Sequence, residues 1–284
     1  MTDRATDFLA LHVPGTPLLM PNPWDAGSAR LLAAMGFRAL ATTSAGFAGT
    51  HGRTDGNVTR DEALAHAAAL VSAVEIPVSA DLENGFGDDP AEVAETIRLA
   101  AESGLAGCSV EDWNPTERAS YATGEAAERV AAAVEAAHSG ARRIVLTARA
   151  DGHIHGRREP EDLDDTITRL QAYEQAGADV LYAPGINSID GIRRIVDAVS
   201  QPVNVLAMAD TPPVRRLAEL GVARVSTGSG FYWAAMGGLA GAAEELRDSG
   251  TYAFWAEAGA GRAAAANRLR RKRTGCSASM TDVT

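Results

Sequence analysis

Four carboxylates lie at or after three consecutive apolar runs in the first half of the chain: Asp55, Asp81, Glu83 and Glu111. Asp81 and Glu83 are two residues apart, so they share one face if the strand extends that far. Carboxylate oxygens without cysteine and with few histidines suit a hard ion, Mg²⁺ or Mn²⁺, rather than zinc. On spacing alone, a metal site and a set of helix N-caps and solvated loop charges remain equal interpretations.

Three further positions could hold an anion. Arg149 ends the run LTAR, where it could pair with the carboxylates or clamp the acid group of a substrate. Ser44, Ala45 and Gly46 end another run and could offer backbone N–H groups to an anion or form only a tight turn. Asn204 lies within a strand-like run, and a buried asparagine must bind either a ligand or a neighbouring strand.

The elements that must position these residues repeat along the chain. Apolar runs alternate with helix-like segments, and the runs occupy residues 18–22, 38–46, 76–85, 105–112, 143–151, 179–185, 201–208 and 222–230. Runs that are apolar on both faces are typical of buried parallel strands. We predict an α/β fold, a single (β/α)8 TIM-type barrel with extra C-terminal helices. A doubly wound sheet is disfavoured, because the first turn, NPWDAGSA, lacks GxGxxG.

Domain organisation and composition narrow the function further. We expect residues 1–256 to form the catalytic barrel and residues 257–284 a C-terminal helix and disordered tail. The 284 residues include 26 Lys and Arg against 37 Asp and Glu, a net charge of −11, which argues against nucleic-acid binding. Two distant cysteines and no signal peptide indicate the reducing cytoplasm. No apolar stretch is long enough for a membrane span.

Eight segments together resemble one known family. They follow one another from Pro21 to Gly230 and read PNPWDAGSARLLAAMGFRALATTSAG, TDG (54–56), PVSADLENGFGD, GCSVED, LTARAD, AGADVLYAPGI, PVNVLA and LGVARVSTGSG. In this combination the chain resembles the isocitrate lyase/phosphoenolpyruvate mutase superfamily, in its phosphonomutase-like branch. The resemblance implies a Mg²⁺- (or Mn²⁺-) dependent lyase-type enzyme. It would cleave a C–C or C–P bond of a small 2-oxo or 2-hydroxy acid through a metal-stabilised, pyruvate-like enolate.

The same resemblance implies roles for single residues and an assembly. Asp81 is expected to ligate the metal, and the carboxylates expected to assist it directly or through water are Asp55, Glu83 and Glu111. Glu83 stands where the family commonly has Asp. The groups expected to hold the acid group of the substrate are Ser44, Ala45, Gly46 and Arg149. The family implies a homo-oligomer, a dimer or a tetramer, built through the C-terminal helices.

One segment departs from the family pattern. Isocitrate and methylisocitrate lyases carry a KKCGH or KRCGH loop after the fourth strand, and its cysteine handles the proton. Here the segment reads WNPTERASY and contains no Cys, His or Lys. A standard isocitrate lyase is therefore disfavoured, and Tyr121 or a water molecule is the candidate acid for a C–C lyase or a decarboxylase. The alternatives are a non-catalytic or repurposed oxo-acid-binding barrel and a tailoring enzyme of secondary metabolism.

Overall fold

A parallel barrel forms the body of the protein, as predicted. The computed structural model describes residues 4–140, 142–156 and 160–269. Its strands are β1 Leu18–Met20, β2 Leu40–Ala41, β3 Val78–Asp81, β4 Gly107–Glu111, β5 Trp113–Asn114, β6 Ala119–Ser120, β7 Val145–Arg149, β8 Val180–Tyr182, β9 Val203–Leu206 and β10 Arg224–Ser226. All but β5 and β6 form one sheet in the order β1-β10-β9-β8-β7-β4-β3-β2. The amide of Ala41 donates to Pro21 O at 3.1 Å and joins the two end strands, so the barrel is nearly closed.

Helices follow the strands and cover the barrel. They are α1 Arg4–Leu9, α2 Ala26–Ala34, α3 Ser44–Thr50, α4 Arg60–Ala73, α5 Pro90–Glu102, α6 Thr123–Ser139, α7 Pro160–Gln175, α8 Ile189–Ala198, α9 Val214–Glu219, α10 Gly230–Ser249 and α11 Trp255–Leu269. A capping box of Thr59 and Glu62 starts α4, and Asp89 caps α5 ahead of Pro90. No described helix is both long enough and apolar enough to cross a membrane.

The short helix α1 closes the amino-terminal end of the barrel. Phe8 is fully buried in one cluster with Leu18, Val145 and Val180, which lie at the beginnings of strands. A side chain at position 107 would collide with Phe8, because a Cβ there would lie 2.9 Å from the Phe8 ring and 2.8 Å from Val145 O. With this end filled, polar groups have room at the opposite end, where the strands finish.

Two segments differ from the sequence expectation. The run 38–46 is a strand only at Leu40–Ala41, and helix α3 begins at Ser44 with Thr43 as its N-cap. The segment 113–121, interpreted as a loop, contains the antiparallel hairpin β5–β6. A C-terminal helix and disordered tail were expected over residues 257–284. Helix α11 begins at Trp255 and ends at Leu269, and residues 270–284 lie outside the described residues.

Candidate active site

Arg149, the last residue of β7, is surrounded by three carboxylates. Its Nη1 donates to Asp81 Oδ1 at 2.8 Å, and its Nη2 lies 2.9 Å from Glu111 Oε2. Nη2 and Nε also donate to the two oxygens of Asp151, at 2.6 and 3.1 Å. Because β3, β4 and β7 are neighbours and Glu111 pairs in register with Arg149, the sheet itself gathers these groups. Arg149 is therefore a partner of carboxylates, and this does not exclude that it also contacts the acid group of a substrate.

Glu83 adds a carboxyl group to this cluster from the turn after β3, and not from the strand itself. Strand β3 ends at Asp81, and Glu83 lies in the following turn with φ 49°. Such a left-handed backbone is uncommon for a residue other than glycine and is found where a site requires it. Its amide donates to Asp81 Oδ1 at 3.3 Å, whereas its Oε1 is buried without a hydrogen-bond partner in the described structure. Burial, followed by repulsion from Asp81 and Asp55, raises the pKa of Glu83 to about 8.

Asp55 and Glu111 are perturbed in the same direction. Burial is the main cause that raises the pKa of Glu111 well above its usual range, and Arg149 only partly opposes it. Burial and the charge of Asp81 likewise raise the pKa of the Asp55 carboxyl. Carboxylates crowded in this way repel one another and prefer protonation unless a cation compensates them. The arrangement therefore favours binding of a cation.

Asp151 and His155 were not assigned a role from the sequence, yet they face the same group. One ligand atom each of Glu111, Asp151 and His155 lies within 4.8 Å of the others. His155 stacks on Trp113 of the hairpin with ring centroids 3.7 Å apart. Asp151 follows Arg149 by two residues, which is also the spacing between Asp81 and Glu83. The spacing of two residues at a strand end could therefore have predicted Asp151 from the sequence. No local signal marks the stacking of His155.

A buried network fixes the position of Asp151. The backbone amide of Asp151 donates to Asp112 Oδ1 at 2.8 Å. The other oxygen of Asp112 accepts from Tyr173 Oη at 2.7 Å and from Arg169 Nη1 at 3.1 Å. Because buried polar groups that are fully paired hold one arrangement, this network ties the end of β4 to the end of β7 and to α7.

Two adjoining cavities open at the carboxyl ends of the strands. The upper cavity has a volume of about 180 Å³, and its acidic and histidine lining is Asp55, Glu83, Glu111, Asp151 and His155. The barrel cavity has a volume of about 170 Å³ and extends between the strands, where its polar lining includes Ser79, Ser109, Asn204, Arg224 and Ser226. The two share Ser44, Asp55, Arg149 and Ile154. Each of these two cavities has room for a small acid.

The structure separates the residues expected to hold the acid group. Ser44 lines both cavities, and its hydroxyl donates to Asp81 Oδ2 at 3.1 Å. Ala45 and Asn204 line the barrel cavity. The amide of Gly46 instead donates to Thr43 Oγ1 at 3.2 Å, as part of the helix cap. A Cβ at Gly46 would lie 2.5 Å from the Thr43 side chain, so close packing explains this glycine.

Tyr121 is hydrogen-bonded to groups other than the carboxylates around Arg149. It is buried, its hydroxyl donates to Asp88 Oδ1 at 2.5 Å, and it accepts from Asn84 Nδ2 at 3.1 Å. The guanidinium of Arg129 covers its ring at 4.0 Å. Tyr121 is not among the described residues that line either cavity. Its contacts organise the segment after β3, and burial raises its pKa to about 12, so its hydroxyl is a poor proton donor.

The fold and these groups define a (β/α)8-barrel protein with an acidic, arginine-containing site at the carboxyl ends of its strands. The sequence profile of the phosphoenolpyruvate phosphomutase family matches residues 8–247, which is most of the chain. The chain therefore belongs to the isocitrate lyase/phosphoenolpyruvate mutase superfamily. The resemblance identified in the sequence is thereby confirmed.

Individual relatives agree with this membership. A Burkholderia cenocepacia J2315 protein described as a lyase/mutase superposes with a TM-score of 0.83 at 52% identity, covering 88% of this chain and 90% of that one. An uncharacterised protein of Mycobacterium tuberculosis H37Rv is 35% identical over 85% of this chain and 89% of its own length. The 2-methylisocitrate lyase of Escherichia coli K12 is 29% identical over 72% of this chain and 74% of its own length.

Proposed function

We propose that the protein is a Mg²⁺-dependent lyase-type enzyme that cleaves a C–C bond of a small 2-oxo or 2-hydroxy acid. In a 2-oxo acid the bond that breaks is next to the carbonyl group. The observation that carries the proposal is the group of carboxylates around Arg149 at the mouth of the barrel. Membership of a superfamily that includes 2-methylisocitrate lyase supports a lyase outcome. The small cavities support an acid of few carbon atoms as substrate.

The residues present fit a magnesium ion. Mg²⁺ prefers carboxylate and water oxygens, and the proposed donors are the oxygens of Asp81, Glu83, Asp55 and Glu111. Glu111 also has a ligand atom within 4.8 Å of ligand atoms of Asp151 and His155, which could complete the set. The buried Oε1 of Glu83 has no hydrogen-bond partner among the described residues, so this oxygen is free to coordinate a cation. Bound there, Mg²⁺ would act as a Lewis acid toward the oxygen on which negative charge develops.

The protein's own groups would hold the substrate and prepare the bond for cleavage. Arg149 presents a guanidinium that its three carboxylates fix in place, so it can contact the acid group without reorganisation. Ser44, fixed by its bond to Asp81, adds a hydroxyl on the shared wall of the two cavities. Cleavage leaves the bonding electron pair in an enolate beside the carboxylate, and fixed positive charge lowers the energy of that species.

The proton that quenches the enolate has a simple source. Hairpin β5–β6 stands where lyase relatives carry their cysteine loop, and it offers no thiol. Tyr121 is engaged with Asp88 and lines neither cavity. A water molecule in the upper cavity is therefore the proposed acid. Decarboxylation of a 3-carboxylated 2-oxo acid suits such a site, because the departing CO₂ requires no base.

A substrate panel tests the proposal. The purified protein is incubated with oxaloacetate and with substituted 2-oxo and 2-hydroxy diacids, with Mg²⁺ or with EDTA, and release of pyruvate or another 2-oxo acid is recorded. We expect turnover that EDTA abolishes and that Asp81→Asn reduces at least about a hundredfold. Asp190→Asn, the same change at a side chain that is 90% exposed on α8, should behave like the wild type. Metal-dependent binding with no turnover on any acid would instead favour an oxo-acid-binding barrel.

A further inference from the structure

Arg224 is a cation enclosed by the barrel. It lies on β10, is only 3% exposed and lines the barrel cavity. Its hydrogen bonds come from Nη1, which faces Thr147 Oγ1 at 3.2 Å and His12 Nε2 at 3.3 Å. Its Nε is buried without a partner, and no carboxylate of the described residues forms an ion pair with it. This contrasts with Arg149, which three carboxylates surround.

His12 does not offset the charge of Arg224. The Nδ1 of His12 lies 3.0 Å from Phe8 O, so Nδ1 carries the proton and Nε2 is left as the acceptor for Arg224. Burial, together with the charge of Arg224, lowers the pKa of His12 to about 3, and the ring is neutral. Burial also lowers the pKa of Arg224 to about 10, which still leaves it protonated at neutral pH. The barrel interior thus holds a positive charge without a matching anion.

A second unsatisfied group lies beside it. Asn204 pairs in register with Arg224 on the neighbouring strand and also lines the barrel cavity. Its Nδ2 donates to Ser226 Oγ at 2.9 Å, which fixes the amide, whereas its Oδ1 is buried without a partner. An unpaired buried cation is costly, and a packed apolar side chain would be cheaper in the same place. A ligand that enters the cavity would satisfy these groups.

We propose that Arg224 and Asn204 form a subsite inside the barrel for the far acid group of the substrate, so that the enzyme selects diacids over monoacids. The proposal rests on the proposed function, because it places the reacting end of the same substrate at Arg149 and the carboxylates. Arg149 belongs to the walls of both cavities, so one small molecule can contact it and extend toward Arg224. Arg224 donates to the far carboxylate, and a protonated far acid or a substrate hydroxyl can donate to Asn204 Oδ1.

Calorimetric titration in the presence of Mg²⁺ tests the subsite. Two ligand pairs differ only in whether the far end carries a carboxylate: malate against 2-hydroxybutanoate, and 2-oxoglutarate against 2-oxopentanoate. The wild type should bind the diacid at least about tenfold more tightly in one pair or both, the scale of one charge-assisted hydrogen bond. Arg224→Met should remove this preference, while Arg224→Lys should retain part of it.

Oxalate separates this test from that of the proposed function. Oxalate has no carbon atom between its two carboxylates, and the metal and Arg149 are expected to hold both. Its Mg²⁺-dependent affinity should therefore be the same in the wild type, in Arg224→Met and in the surface control Arg216→Met. If oxalate does not bind the wild type, the proposed function fails. If oxalate binds but the wild type prefers no diacid, or Arg224→Met retains the preference, the subsite is wrong. If Arg224→Met does not fold, the affinities of the wild type for the diacid and the monoacid of each pair still test the subsite.

Discussion

At the scale of single residues, charge balance is the main property of the site. One guanidinium, that of Arg149, faces Asp81, Glu111 and Asp151, while Glu83 and Asp55 add two more carboxyl groups nearby. A divalent cation is the simplest compensation for this excess negative charge. Without it, carboxyl groups whose pKa is raised by burial and by mutual repulsion would become protonated. Arg224, deeper in the barrel, is a positive charge without a paired carboxylate. A metal ion at the carboxylates and an acidic substrate at Arg224 would together compensate the charges of the site.

Tyr121 supplies a test of the proton source. If the hydroxyl only organises the segment after β3, Tyr121→Phe should lower the free energy of unfolding by about 1–3 kcal/mol, because the buried amide of Asn84 loses its partner and Asp88 loses a hydrogen bond. The turnover number should change little, since Tyr121 lines neither cavity. Urea denaturation and steady-state kinetics measure the two effects. A fall in kcat of two orders of magnitude with unchanged stability would restore Tyr121 as the catalytic acid.

At the scale of elements, the strands that are buried on both faces could be predicted from the sequence, whereas elements that depend on tertiary packing could not. Each predicted apolar run contains one strand of the barrel, because strands buried on both faces must be apolar throughout. Helix α3, SAGFAGT, was missed because its small residues and two glycines have weak helix propensity. Its conformation depends on tertiary packing, since a Cβ at Gly49 would lie 2.6 Å from the Tyr232 ring. Asp81, Glu111 and Arg149 were predictable from strand ends, whereas His155 depended on a contact distant in sequence.

The docking of α1 should depend on pH through His12. Its pKa is about 3 in the folded protein, against 6.5 for the ordinary value, so the unfolded chain takes up the proton first. Stability from this group is complete above pH 6.5 and is lost as the pH falls toward 3. Between pH 7 and pH 5 the loss should be about 2 kcal/mol. His12→Gln should remove this part of the pH dependence in urea unfolding, and the exposed His51→Gln should not. Parallel curves for wild type and His12→Gln would refute it.

At the scale of the whole molecule, α10 and α11 are unlike the rest of the fold. Of the α10 residues only Tyr232 is buried. Large apolar side chains are exposed along both helices, namely Trp233, Leu239, Leu246 and Trp255 at 55, 62, 51 and 62%. Exposed apolar surface of this kind marks association sites. This supports the expected homo-oligomer built through the C-terminal helices, which stays a prediction.

Light scattering after size-exclusion chromatography tests the assembly. We expect the wild type to elute as a dimer or tetramer and Leu239→Asp to shift toward monomer, because a charge would be buried in the interface. Val214→Asp, the same kind of change at an exposed apolar residue of α9, should leave the mass unchanged. A wild type that is monomeric at all concentrations, or a Leu239→Asp protein of unchanged mass, would rule out this interface.

The central claim is that the carboxylates and Arg149 bind Mg²⁺ and an enolate-like acid together. Titration of oxalate, an enolate mimic, into the wild type and into Asp81→Ala, with Mg²⁺ or with EDTA, tests it most directly. The account predicts that oxalate binds the wild type only with Mg²⁺, and that Asp81→Ala loses this binding while remaining folded. Oxalate binding that is equal with and without Mg²⁺, or that survives in Asp81→Ala with its metal dependence intact, would contradict it.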